Sequence, residues 1–184
     1  MNVIFLDFDG VINLNPKEDE NAVERRIKIL GDICKIYDCK VVITSAHKDC
    51  IDEETLETNL DWIQEYFDMF KKYDIEVIGR TPCVKTEIKP GRFKDIWKEN
   101  EILEYLKMHP EIEHFCVIDD DDLVTISKKG DFSKSDLNLV RDYLITPIIY
   151  SDKDPNLAGL QESHIKEVGK ILEKENKFKK TNIR

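Results

Sequence analysis

The chain has 184 residues, 38 acidic against 28 basic, and a formal charge of −10. That length predicts one domain with a sizeable core, taken as residues 1–175 with a basic polar tail over 176–184. The acidic balance excludes a broad nonspecific grip on nucleic acid while leaving room for a small basic cleft.

Met1-Asn2 leads, without a basic leader or cleavage site, into Val3-Ile4-Phe5-Leu6. This apolar run is too short for a helix and rich in strand-forming residues, so it predicts a strand buried on both faces. It breaks into Asp7-Phe8-Asp9-Gly10. Period-two geometry puts the two carboxyls on one side, and Gly10 permits a tight turn. Acids at the carboxyl end of a buried strand lie where open α/β sheets bind ligands, although Asp-x-Asp-Gly alone is also an ordinary turn. Leu14 to Asn21 is polar and turn-like; folds that carry such a motif often place a flap here, so Asn13 to Asp19 is expected to border the site. Val23, Ile27, Leu30, Cys34 and Tyr37 then form a helical stripe.

The second predicted strand, Lys40 to Ile43, ends in Thr44-Ser45-Ala46-His47-Lys48. A hydroxyl here can hold a phosphate oxygen or cap a helix. A lone histidine is more often a packing residue, so the roles of His47 and Lys48 are left open. An acidic loop, Asp49 to Thr58, feeds a second helix with Leu56, Leu60, Ile63, Phe67 and Phe70 on its apolar face. Ile75 to Ile78 is the third predicted strand. Gly79 to Gly91 reads as irregular, and Arg80, Lys85, Lys89 and Arg92 make this stretch a local basic patch that either faces an anion or is simply solvated.

Lys98 to Leu106 reads as a helix ended by His109-Pro110. Phe115-Cys116-Val117-Ile118 is the fourth strand and runs into Asp119-Asp120-Asp121-Asp122. Four consecutive carboxylates repel one another unless a cation offsets them. Beyond a polar loop, Leu137 to Leu144 predicts a short helix, Pro147 to Tyr150 an edge strand, and Ile165, Val168, Ile171 and Leu172 the face of a last helix. The five cysteines form no C-x-x-C pair and are read as free thiols of a reducing cytosol. No apolar run can span a membrane, so a cytoplasmic location is expected.

Acid pair, hydroxyl, lysine and acid pair follow one another on successive strand ends. In that order they resemble the four motifs of the haloacid dehalogenase (HAD) superfamily. Lys98-Glu99-Asn100-Glu101-Ile102 followed by the Phe115–Asp121 stretch, and Asp154-Pro155-Asn156-Leu157-Ala158-Gly159-Leu160, resemble the HAD domain of Swiss Army Knife RNA repair proteins. Those relatives tend to read Ser-Ser-Ser-Trp-Arg where this chain has Thr44-Ser45-Ala46-His47-Lys48.

The resemblance implies a three-layer, Rossmann-like α/β fold with a central, mainly parallel sheet and no large cap domain. It implies Mg²⁺ held by Asp7, the Asp9 main-chain carbonyl and Asp120, with Asp119 close by. Asp7 would be the nucleophile and Asp9 the acid and base. Thr44 and Lys98 would hold phosphoryl oxygens, with Gly10 and Ser45 beside them. Lys94 and Arg92 are the alternatives to Lys98. The expected activity is phosphomonoester hydrolysis through an aspartyl-phosphate, on nucleic-acid ends or on small molecules and nucleotides. A non-catalytic, receiver-like phosphate-binding module has the same parts in another order. No partner chain and no membrane contact are predicted.

Overall fold

The computed structural model describes residues 1–14, 19–83, 85–89, 92–95, 98–123, 133–148 and 157–178, with the backbone alone described for 85–89, 92–95 and 134. Five strands form one all-parallel sheet: β1 (Asn2–Leu6), β2 (Cys39–Ile43), β3 (Val77–Arg80), β6 (His114–Ile118) and β7 (Leu144–Ile145), in the order β3-β2-β1-β6-β7. The helices are α1 (Glu20–Tyr37), α2 (Asp61–Lys72), α3 (Lys98–Met108), α4 (Lys134–Leu139) and α5 (Ser163–Leu172). Connections run outward from β1 through β2 to β3, then return to β6 and continue to β7. Right-handed crossovers therefore place helices on both faces: α1 packs against α2 and α5, and α3 against α4. The fold is the three-layer α/β arrangement expected.

β1 is central because Val3, Ile4, Phe5 and Leu6 are fully buried between both helical layers. The Phe5 ring meets Tyr105 and Phe115 edge-on, with ring centres 5.7 and 5.8 Å away. α1 begins at Asp19, whose carboxylate accepts from the Asn21 amide at 3.1 Å, and ends at Asp38 in the left-handed region (φ 50°). Such caps satisfy backbone groups that the helix leaves open.

Several boundaries differ from the sequence reading. β3 starts at Val77, two residues late, and runs to Arg80; the stretch read as irregular, Gly79 to Gly91, also holds β4 (Lys85–Lys89), which pairs antiparallel with β5 (Arg92–Asp95) just beyond it. Leu56 does not belong to α2; it sits in the preceding loop at φ 57°. The helix predicted to reach Leu144 stops at Leu139, gives one 3-10 turn over Val140–Tyr143, and enters β7. β7 is the edge strand, placed before the predicted Pro147–Tyr150 stretch; residues 149–150 lie outside the described ones. The start of the expected tail is packed: Asn176 is buried, and the Phe178 ring lies 6.0 Å from those of Phe115 and Tyr143. Most of the expected flap, residues 15–18, lies outside the described residues.

Candidate active site

Strand register builds the site. Leu6 is paired with Ile43 on one side and Ile118 on the other. The next residue of each strand, Thr44, Asp7 and Asp119, therefore stands in one row at the carboxyl edge. Hydrogen bonds continue across that row: Thr44 N to Leu6 O at 2.8 Å, Asp7 N to Ile118 O at 3.0 Å, and Asp119 N to Ile145 O at 3.1 Å. The strand order reverses between β1 and β6, so Asp7 and Asp119 flank the topological switch point, where α/β sheets bind their ligands.

Lys98, at the start of α3, reaches into this row. Its Nζ donates to Asp7 Oδ2 at 2.5 Å and to Asp119 Oδ2 at 2.9 Å. Burial opposes the charged ammonium, yet the carboxylates of Asp119 and Asp7 outweigh it and raise the Lys98 pKa. Asp119 is fully buried, and burial together with the Asp7 charge pushes its pKa up to about 7, against the pull of Lys98 and the Asp121 amide. Asp120 is raised by the same two causes, burial first. One ammonium among three carboxyls leaves uncompensated negative charge in a poorly solvated place.

Asp7, Asp119 and Asp120 each offer a carboxylate oxygen, and these oxygens lie within 4.8 Å of one another. A half-enclosed, all-oxygen, electron-rich set suits Mg²⁺, so the residues fit the ion that the resemblance implied. The Asp9 carboxylate is not part of this group.

Behind Asp9 the chain makes a tight turn. The amides of Val11, Ile12 and Asn13 all point to the Phe8 carbonyl at 3.3, 2.8 and 3.0 Å. Gly10 has φ 71°, and a Cβ there would fall 2.4 Å from Asp120 Cγ. Its amide donates to Asn13 O at 2.7 Å. Gly10 thus gives room for Asp120 to approach, and its amide is engaged within the turn.

The Thr44 hydroxyl is buried without a hydrogen-bond partner among the described residues. A buried, unsatisfied hydroxyl at a strand end is costly, and a phosphoryl oxygen would satisfy it. Ser45 Oγ accepts from the His47 amide at 3.3 Å and caps the 3-10 turn Ala46–Cys50. The Asp9 carboxyl meets His47 Nε2 at 3.1 Å, a contact the sequence reading did not assign.

Two other buried charges also escaped that reading. Arg26 donates from Nε to Ala158 O at 3.3 Å and from NH1 to Ile12 O at 3.0 Å. Its signal was a charge next to Ile27 on the apolar stripe of α1. Lys48 pairs with Glu101 at 2.9 Å. Arg80, assigned to the basic patch, is committed elsewhere: its Nε donates to Ile51 O at 2.7 Å and it faces Glu53 at 3.5 Å. The side chains of Lys85, Lys89, Arg92 and Lys94 lie outside the described residues.

A parallel sheet with acids at the switch point and a lysine between them defines a HAD-like domain. The family model for the HAD domain in Swiss Army Knife RNA repair proteins matches residues 3–141, most of the chain, and the chain belongs to that family. No curated protein and no solved structure matches it. No described helix is long and apolar enough to cross a membrane.

Proposed function

We propose that this domain is a Mg²⁺-dependent phosphomonoester hydrolase that works through an aspartyl-phosphate on Asp7. The row formed by Thr44, Asp7 and Asp119 at one sheet edge, bridged by Lys98, supports this reading most. HAD-family membership supports a phosphatase in general.

Asp7 attacks phosphorus as the bond to the leaving oxygen breaks, and that oxygen takes its proton from Asp9. Asp9 then removes a proton from water. The water oxygen bonds to phosphorus, and the phosphorus–oxygen bond to Asp7 breaks to return the carboxylate. Thr44 and Lys98 hold non-bridging oxygens, where charge develops in the transition state. Asp7, Asp119, Asp120 and the Asp9 carbonyl would hold Mg²⁺, which supplies positive charge to the phosphoryl oxygens. The five free cysteines accord with a reducing, cytoplasmic setting.

A phosphorylated polynucleotide end is the proposed substrate. The family's connection to RNA repair proteins supports it. So does the exposure of the Asp9 and His47 side chains, 52% and 43%, which leaves the mouth open to a large molecule. A small phosphomonoester or nucleotide is the second reading, favoured by the net charge of −10 and the commitment of Arg80.

The test is turnover of a 3′-phosphorylated oligonucleotide and the matching mononucleotide, with Mg²⁺, at two salt concentrations. A preference for the oligonucleotide that salt erodes supports the polynucleotide end. Faster turnover of the mononucleotide at both salts selects the second reading. Full activity of Asp7→Asn, or in EDTA, refutes the mechanism.

A further inference from the structure

We infer that His47 is a positioning residue for the proton transfers of Asp9; this rests on the reading of Asp9 as acid and base. The Asp9 side chain is half exposed, and among the described residues its carboxyl bonds to His47 Nε2 at 3.1 Å. An exposed carboxyl left alone samples several rotamers. A proton donor has to come within about 2.6–3.2 Å of the leaving oxygen, and a misplacement of about 1 Å can cost about a hundredfold in rate. With Nε2–H as donor, the bond occupies Asp9 Oδ2 and leaves Oδ1 to carry the working proton.

His47 can hold Asp9 because it is itself held. Its amide donates to Ser45 Oγ at 3.3 Å, within the turn that follows Thr44. Its ring stands edge-to-face on Trp62, with centres 5.0 Å apart at 86°. Trp62 packs on Phe8 at 6.1 Å and on Tyr66 at 5.4 Å. Phe8 is fully buried and lies between Asp7 and Asp9 in the chain. The contacts therefore close a ring, Asp9–His47–Trp62–Phe8, that returns to the strand end carrying the nucleophile. Nucleophile and acid are thereby held against one rigid base, and that rigidity is what a preorganised site requires.

A positioning role for a general acid has a signature that a packing role lacks. A poor leaving group needs the proton, and a good one departs without it. The experiment measures kcat/KM, which reports steps up to loss of the leaving group, on an alkyl phosphate and on 2,4-dinitrophenyl phosphate, with Mg²⁺. The proteins are wild type, Asp9→Asn, His47→Phe and His47→Gln, each checked for an unchanged thermal melt.

His47→Phe keeps a ring against Trp62 and loses the hydrogen bond. It is expected to lower kcat/KM on the alkyl phosphate by about 10- to 100-fold and on the dinitrophenyl ester by much less. His47→Gln, which retains an N–H donor, is expected to recover part of the alkyl activity. If Asp9→Asn shows the leaving-group dependence and His47→Phe does not, or if His47→Phe slows both substrates equally, the inference is overturned alone. If Asp9→Asn loses no more on the alkyl phosphate than on the dinitrophenyl ester, the acid–base reading of Asp9 falls and takes the inference with it.

Discussion

Lys48 and Glu101 form an ion pair at 2.9 Å, and their side chains are only 8% and 5% exposed. The pair joins the turn after β2 to α3, one helical turn beyond Lys98. It therefore links the element that carries Thr44 to the element that carries the bridging lysine. Separate segments of chain hold their catalytic groups in register only if something stiff connects them.

Removing the Lys48 ammonium takes a close opposite charge away from the buried Glu101 carboxylate. Lys48→Met should destabilise the protein by about 3–5 kcal/mol. Adding Glu101→Gln should recover part of that loss, because the carboxylate that lost the ammonium is neutralised too. A double-mutant cycle by denaturant unfolding measures the coupling; independent, additive effects would refute it.

Lys98→Ala leaves Asp7 and Asp119 facing each other without the ammonium between them. In EDTA the variant should lose about 2 kcal/mol, the value of hydrogen bonds to charged groups. Excess Mg²⁺ should restore part of the melting temperature, since a cation again offsets the acids, but not turnover. Unfolding with and without Mg²⁺, beside an activity assay, separates the two roles. Turnover at the wild-type level would exclude Lys98 from catalysis.

The raised pKa of Asp119 sets the pH dependence. Burial and then the Asp7 charge push its carboxyl up to about 7 in the folded protein, from an ordinary 3.8. Between those values the folded state binds a proton that the unfolded chain releases. This group's stabilisation is thus complete below the lower value and is lost as pH rises through the upper one. Mg²⁺ competes with the same proton, so its stabilising effect should be small near about pH 5.5 and larger near about pH 8. Thermal melts across a Mg²⁺ series at both pH values measure this, and an equal shift at both would contradict it.

Gly10→Ala would place a methyl against Asp120 in a backbone region costing about 1–2 kcal/mol for an L-residue. Besides that loss of stability, Asp120 must move away from Asp7 and Asp119. The Mg²⁺-induced rise in melting temperature should shrink together with activity. An intact Mg²⁺ response would show that Asp120 is not needed for the ion.

The sheet's central strands were legible because each is a short apolar run halted by polar residues. Val3 to Leu6 and Phe115 to Ile118 are such runs, and both end in acids. β7 was not legible: Leu137, Val140 and Leu144 keep helical spacing, while two residues are too few to show alternation. The β4–β5 hairpin left a clue in Pro90-Gly91 between its strands, which the density of charge around it obscured. The four aspartates looked equivalent in one dimension. Register separates them, because Asp119 continues a buried strand and is sealed, Asp120 is half-buried, and Asp121 and Asp122 are exposed. The His47–Asp9 and Lys48–Glu101 contacts join residues far apart in the chain, and nothing local marks them.

Arg26 ties the turn behind Asp9 to a much later segment, through Ile12 O on one side and Ala158 O on the other. Gly159, at φ 71°, packs so close that a Cβ would lie 2.6 Å from the Arg26 Nε, and the Leu160 amide donates to Val11 O at 3.0 Å. The strand that leads into Asp7 is thus among the first parts of this domain to be synthesised, yet the turn that follows it gains its outer fastening only when residues 158–160 have left the ribosome. A nascent chain stalled after β6 would already have both acid pairs and the lysine, but not the clasp that keeps the first pair in place.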